Sequence, residues 1–176
     1  DSLLRDCHLT LHTRESPDGW RVLGHTAAHV VAQAVKRLFP SAMLATSRSE
    51  GDGFSCDLAL DHPFGPRDLA RVQSEVNRII EQDLPIERHR MSKGAARVML
   101  IRRGEVLLLE LLEEIGAPLI ALYTQGNHLD LCRGPRAWST GCLPGTQLTD
   151  VTSVRWRDDP CADPIVRISA TLAPRM

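Results

Sequence analysis

Two short runs of this chain bring together residue types that do chemistry. His25 and His29 stand four apart in His25-Thr26-Ala27-Ala28-His29, a spacing that on a helix brings both imidazoles out on one face, a turn apart. Asp130 and Cys132 stand two apart in Leu129-Asp130-Leu131-Cys132-Arg133-Gly134-Pro135. On a strand that spacing turns a carboxylate and a thiol to one side, and the Gly-Pro pair ends the strand just beyond them. Paired imidazoles suit a metal ion or a single substrate group, and they also occur on helix surfaces with no such role.

The elements that must hold these residues can be read from pattern. Alternation over residues 6–12 predicts a strand and Ser16-Pro17-Asp18-Gly19 a turn. Apolar residues at Val22, Leu23, Ala27, Val30, Val31, Ala34, Val35 and Leu38 then predict an amphipathic helix that stops before Pro40. Residues 43–47 and 54–60 read as strands joined by a glycine-bearing hairpin loop. Pro66 opens a second helix running to about residue 82, with Leu69, Val72, Val76 and Ile79 on one face. A strand over 86–89, a helix from Ser92, and strands over 119–123, 128–131, 149–156 and 165–171 complete the reading. Helices and strands without regular alternation predict an α+β fold, an antiparallel sheet packed against helices, one of which carries the two histidines. Residues 1–20 are expected to lead in, and 21–176 to form one domain.

Composition narrows the function classes. A chain of 176 residues, 43% hydrophobic and 24% charged, has the size and apolar content of one globular domain and not of a disordered chain. It holds no apolar run long enough to span a membrane, and its first residues lack a signal-peptide pattern, so the cytoplasm is the expected compartment. Aromatics at 4% argue against a base-stacking face, and Trp20, Trp138 and Trp156 are expected to pack. A net charge of −1 leaves any nucleic-acid contact to a local patch. The strongest cationic run in the sequence is Arg88, Arg90, Lys93, Arg97, Arg102 and Arg103, read either as a phosphate-contact surface or as a solvated helix face. The five cysteines, odd in number and without C-x-x-C, exclude a disulfide framework. Cys7, Cys142 and Cys161 lie outside any chemical motif.

The two runs, taken with Gly24, Ala32-Gln33-Ala34, Asp52-Gly53-Phe54, Asp83-Leu84-Pro85-Ile86, Glu110-Leu111-Leu112-Glu113-Glu114-Ile115, Ser139-Thr140-Gly141 and Trp156-Arg157-Asp158-Asp159, resemble the editing domain of bacterial threonyl-tRNA synthetases over nearly the whole chain. That domain has relatives in alanyl-tRNA synthetases and free-standing alanyl-tRNA deacylases. The resemblance implies hydrolysis of the ester that joins serine to the 3′ end of threonine tRNA, by a free-standing domain acting in trans or by a piece of a synthetase. It implies that His25 and His29 position ester and water, that Asp130 binds the seryl amine or hydroxyl, and that Cys132 lines the pocket.

The chain departs from that family at two polar positions. Arg136 stands where a histidine would follow the cysteine, and Leu108 falls where a lysine helps arrange the attacking water. Ser55 and Cys56 replace aromatics, and His128 replaces a more apolar residue; Arg136, Cys56, His128 and Arg133 are therefore candidate substrate-binding residues. No cofactor is the first expectation. Zinc held by His25, His29 and Cys132, with Cys56 or His128 as a fourth ligand, is the alternative. Loss of the water-ordering groups opens two further readings: an aminoacyl-tRNA-dependent transferase that passes a seryl-type group to an amine in a biosynthetic pathway, and a catalytically degenerate module that binds aminoacyl-tRNA or a partner synthetase.

Overall fold

The computed structural model describes residue 8, residues 10–50 and residues 53–173. Most of the strand expected over residues 6–12 lies outside them, and residues 10–13 form no regular element. The order of elements is α1 (Pro17–Leu38), β1 (Met43–Glu50), β2 (Gly53–Ala59), α2 (Pro66–Glu81), β3 (Ile86–Ser92), α3 (Lys93–Arg102), α4 (Val106–Glu114), β4 (Leu119–Gln125), β5 (His128–Leu131), β6 (Thr146–Arg155) and β7 (Pro164–Leu172). The fold is α+β, with two antiparallel sheets where the sequence pointed to one: β1-β2-β7-β6 and β3-β4-β5.

The first helix starts earlier than the apolar pattern suggests. Ser16 is its N-cap, its side chain accepting from Gly19 N at 3.1 Å, and Pro17 fills the first helical position, where a missing N–H costs nothing. The residues expected as a turn are therefore the start of α1. Asp18 in the first turn and Lys36 and Arg37 in the last complement the helix dipole. From Thr26 to Val35 every residue is buried, so α1 is surrounded along its middle, packing on β1, β2 and α2. Pro66 likewise opens α2, where the Asp68 carboxylate accepts from Gly65 N at 3.2 Å and Val72, Val76 and Ile79 face inward.

In the four-stranded sheet, Arg167 on β7 donates to both oxygens of Asp57 on β2, each at 2.7 Å. This paired fork holds a buried carboxylate without leaving it uncompensated. An irregularity in β1 between Leu44 and Thr46 re-aims that edge strand beside the cavity described next. No helix among the described residues is long and apolar enough to cross a membrane.

Candidate active site

The candidate site is a match between the pitch of a helix and the pitch of a strand. On α1, His25, His29 and Gln33 recur every four residues, roughly 6 Å of rise at each step. On β5 and just past it, Cys132, Asp130 and His128 recur every two, roughly 6.6 Å at each step. The two rows face each other in opposite directions. Cys132 Sγ lies 3.2 Å from His25 Nε2, and His29 Nδ1 contacts Asp130 Oδ2 with both side chains closed off, at 3% and 1% exposure. At the third level, Gln33 and Gln125, the cross-strand partner of His128, bond twice: Gln33 Nε2 donates to Gln125 O at 3.0 Å and Gln125 Nε2 to Gln33 Oε1 at 2.9 Å. Each such buried bond contributes about 1 kcal/mol and fixes the height of His29 against the sheet.

Beyond β5 the chain is fastened at several points. Tyr123 Oη donates to Gly134 O at 2.9 Å, and Ala137 N donates to Thr26 Oγ1 on α1 at 3.0 Å. Gly134 lies so close to His25 that a Cβ there would stand 3.0 Å from the imidazole Cε1 and Nδ1. Arg136 folds back into the site: it donates to Asp130 Oδ2 at 3.3 Å, its side chain is 1% exposed, and its guanidinium lies 4.6 Å from the centroid of the Tyr123 ring.

These groups set one another's charge. Burial lowers the His25 pKa, and the Arg136 charge lowers it further, so the imidazole is neutral near pH 7 and able to accept a proton. Burial pushes the Asp130 carboxyl up, but His29 and Arg136 outweigh it and hold the group well below the usual carboxylate range. Cys132 follows the same logic: burial raises its thiol, and hydrogen bonding and charge from His29 and Arg136 bring it below its ordinary value. His128, closed in by burial, falls to about 3.

A cavity of about 240 Å³ opens onto this row. Its walls are His25 and His29 from α1, residues 44–47 of β1, Leu108 and Leu111 of α4, and residues 130–134. The two sheets thus meet edge to edge across it, β1 on one side and β5 on the other. Leu108, 2% exposed, presents an apolar wall opposite the histidines. The contact of Nδ1 with Asp130 fixes the tautomer of His29, so its buried Nε2 is an acceptor.

The structure brings together His25, His29, Asp130, Cys132 and Arg136, with Arg133 exposed on the rim. It sets three of the proposed pocket residues apart from the cavity wall: Arg136, closed off against Asp130, and Cys56 and His128. Cys56 is buried on β2 beside Ser47 of β1, its sulfur 4.0 Å from Ser47 Oγ, and burial holds its thiol well above the ordinary value. His128 is buried on the far side of Asp130 and borders a different recess, beside Lys36 and Asn127. In the basic run, Lys93 and Arg97 pair with Glu113, and Arg103 donates to Asn127 O at 2.8 Å; Arg88, Arg90 and Arg102 are exposed. Sequence reading missed a second grouping, Arg48, Arg155, Arg157 and Arg167, which line one recess only because β1, β6 and β7 share a sheet. No local signal in the sequence marks it.

Could the row hold a metal? The ligand atoms of His25, His29 and Cys132 lie within 4.8 Å of one another, and Asp130 on His29 Nδ1 is the support a metal-bound imidazole uses. The donor set fits zinc, which would supply a polarised carbonyl or an acidified water. Against it stands the Arg136 guanidinium, a fixed positive charge on the same carboxylate.

Fold and site together define an α+β domain with a histidine–carboxylate–thiol pocket at the seam of two antiparallel sheets. The chain is 38% identical to the threonine–tRNA ligase of Clostridioides difficile over 167 residues, 94% of this chain and 26% of that protein. It is 36% identical to that of Desulforamulus reducens over 174 residues, 98% and 27%, and 39% identical to that of Carboxydothermus hydrogenoformans over 148 residues, 84% and 23%. No known family model matches the chain. The chain spans about a quarter of the length of these ligases and is similar to that segment of them.

Proposed function

We propose that this domain hydrolyses, in trans, the ester that joins an amino acid to the 3′ end of a tRNA, with seryl-tRNA of threonine as substrate. The observation that carries the reading is the convergence of His25, His29 and Cys132 on one small cavity, with the buried Asp130 fixing His29 from behind. Serine and threonine differ by a methyl group, which a binding pocket separates by only about 1–3 kcal/mol, so a synthetase needs a second site that removes the error. Neutral His25 takes the proton of the attacking water, and His29, held through Nδ1 by Asp130, positions the ester. Asp130 holds His29 through Oδ2, which Arg136 shares, and from the cavity wall its Oδ1 takes the seryl amine or hydroxyl. The reaction as proposed needs no metal.

A second reading, transfer of the aminoacyl group to an amine, draws support from Leu108. Its apolar side chain closes the wall opposite the histidines, where the family resemblance places a water-ordering lysine. Free amino acid released from Ser-, Thr- and Ala-charged tRNA, with metal content determined on the same sample, tests both. Serine-selective release by metal-free protein is the expected result. Retention of the ester until an amine such as hydroxylamine is added would replace hydrolysis by transfer.

A further inference from the structure

Trp138 is 81% exposed, although the chain around it is firmly held. Ala137 N donates to Thr26 Oγ1, Ile86 N to Trp138 O at 2.9 Å, and Thr140 N to Leu84 O at 2.9 Å. An indole on a fixed backbone keeps its place while its faces stay in water. It borders a recess of about 840 Å³, which shares His12, Val22 and Pro135 with a neighbouring recess of about 440 Å³. That recess in turn shares His25 and Ser47 with the 240 Å³ cavity. The three form a continuous groove from the indole to the imidazoles.

Cations outnumber anions on the groove wall, Arg14, Arg21, Arg133 and Arg136 against Asp18, Asp83 and Asp130. Asp18 is taken up by Arg21 and by His12, 3.5 Å away, and the Asp83 carboxylate accepts from Gly141 N at 3.0 Å. Arg14 and Arg133 are exposed at its two ends with no ion pair among the described residues. A flat π-face, fixed cations and an opening onto the ester cavity fit a single-stranded polynucleotide better than a small amphiphile or a protein segment, because a base stacks on an indole whatever its identity and phosphates take the flanking arginines.

We infer that this groove takes the unpaired nucleotides that precede the esterified residue, with one base stacked on Trp138. The inference rests on the tRNA-ester reading and deepens it: it moves the RNA contact from the run Arg88 to Arg103 to the mouth of the site. The test is a titration of the protein with an uncharged single-stranded RNA of the tRNA 3′ end, read by tryptophan fluorescence, beside ester release from charged tRNA. A saturable change in emission is expected, with affinity weakened about tenfold in Trp138→Ala and largely kept in Trp138→Phe. RNA that binds Trp138→Ala as tightly as the parent, or no binding at all, overturns the groove. Ester release with unchanged binding in Trp138→Ala would leave the proposed activity standing and this inference fallen; RNA held through Trp138 without release would do the reverse.

Discussion

Arg136 donates to the Asp130 carboxylate at 3.3 Å with both side chains 1% exposed, so the chain has made a buried ion pair of its own beside the one between Asp130 and His29. Removing one partner of such a pair leaves the other charge buried and uncompensated, at a cost of about 3–5 kcal/mol. Asp130→Asn should therefore lower unfolding free energy by that order and ester release by about 10–100-fold, since His29 loses its hold. His29→Ala should abolish release with a smaller stability loss, because Arg136 keeps its partner. Urea unfolding and release assays on both variants check this; equal stability losses would contradict it.

Gly134 offers a gentler perturbation. A Cβ at that position would stand 3.0 Å from His25 Cε1 and Nδ1, tighter than a side chain tolerates without movement. Gly134→Ala should turn the imidazole off Cys132 and cut kcat by about tenfold with little change in KM, because a small misplacement of a reacting group is expensive in rate. A variant as fast as the parent would show that His25 does not act from its observed position.

The wall opposite the histidines can be rebuilt. Leu108→Lys combined with Arg136→His restores two polar groups where the family resemblance expects them, and free amino acid release should rise relative to transfer to an added amine. Burying a lysine at a position 2% exposed should also lower Tm. An unchanged partition between water and amine, in a variant that folds, would refute the account of why those positions matter.

Acid should unfold this protein in two stages. His128 sits at about 3 against an ordinary 6.5, so between those values the unfolded chain binds a proton that the folded one refuses. Its contribution to stability is whole above pH 6.5 and is lost as pH falls toward 3, at up to about 1.4 kcal/mol per unit. His25, also lowered, adds in the same direction. Asp130, depressed, adds its loss only below the ordinary carboxylate value. The groups facing His128 are Asp130, His29, Arg136 and Lys36. Unfolding free energy measured from pH 7 to pH 4 should fall, and fall less steeply in His128→Leu.

Much of this was written locally. Pro17 and Pro66 mark helix starts, and Val72, Val76 and Ile79 give the inner face of α2 by spacing alone. α4 was not legible as a helix: Val106-Leu107-Leu108-Leu109 is apolar on every side, so no period separates helix from buried strand. The second sheet escaped too, because pairing of β3 with β4 and β5 rests on long-range register and not on any residue type. In the site, spacing paired His25 with His29 and Asp130 with Cys132, and only the family resemblance put the two pairs in one pocket. It could not say that His29 and Arg136 would share one oxygen of Asp130, or that Cys56 would be closed off beside Ser47 of β1, since both depend on how far each side chain is buried.

The facing rows of α1 and β5 behave as a vernier. Helix and strand advance by about 6.0 and about 6.6 Å per step, so the two scales slip by roughly 0.6 Å at each level and stay matched over a short length only. Three levels use up that tolerance. Loss or gain of a single residue between His128 and Cys132 would shift the strand by half a period and turn Leu129 and Leu131 toward the histidines in place of Asp130. The strand can therefore exchange side chains freely in evolution while its length stays frozen, and natural variation in this domain should appear there as substitution and never as an insertion or deletion.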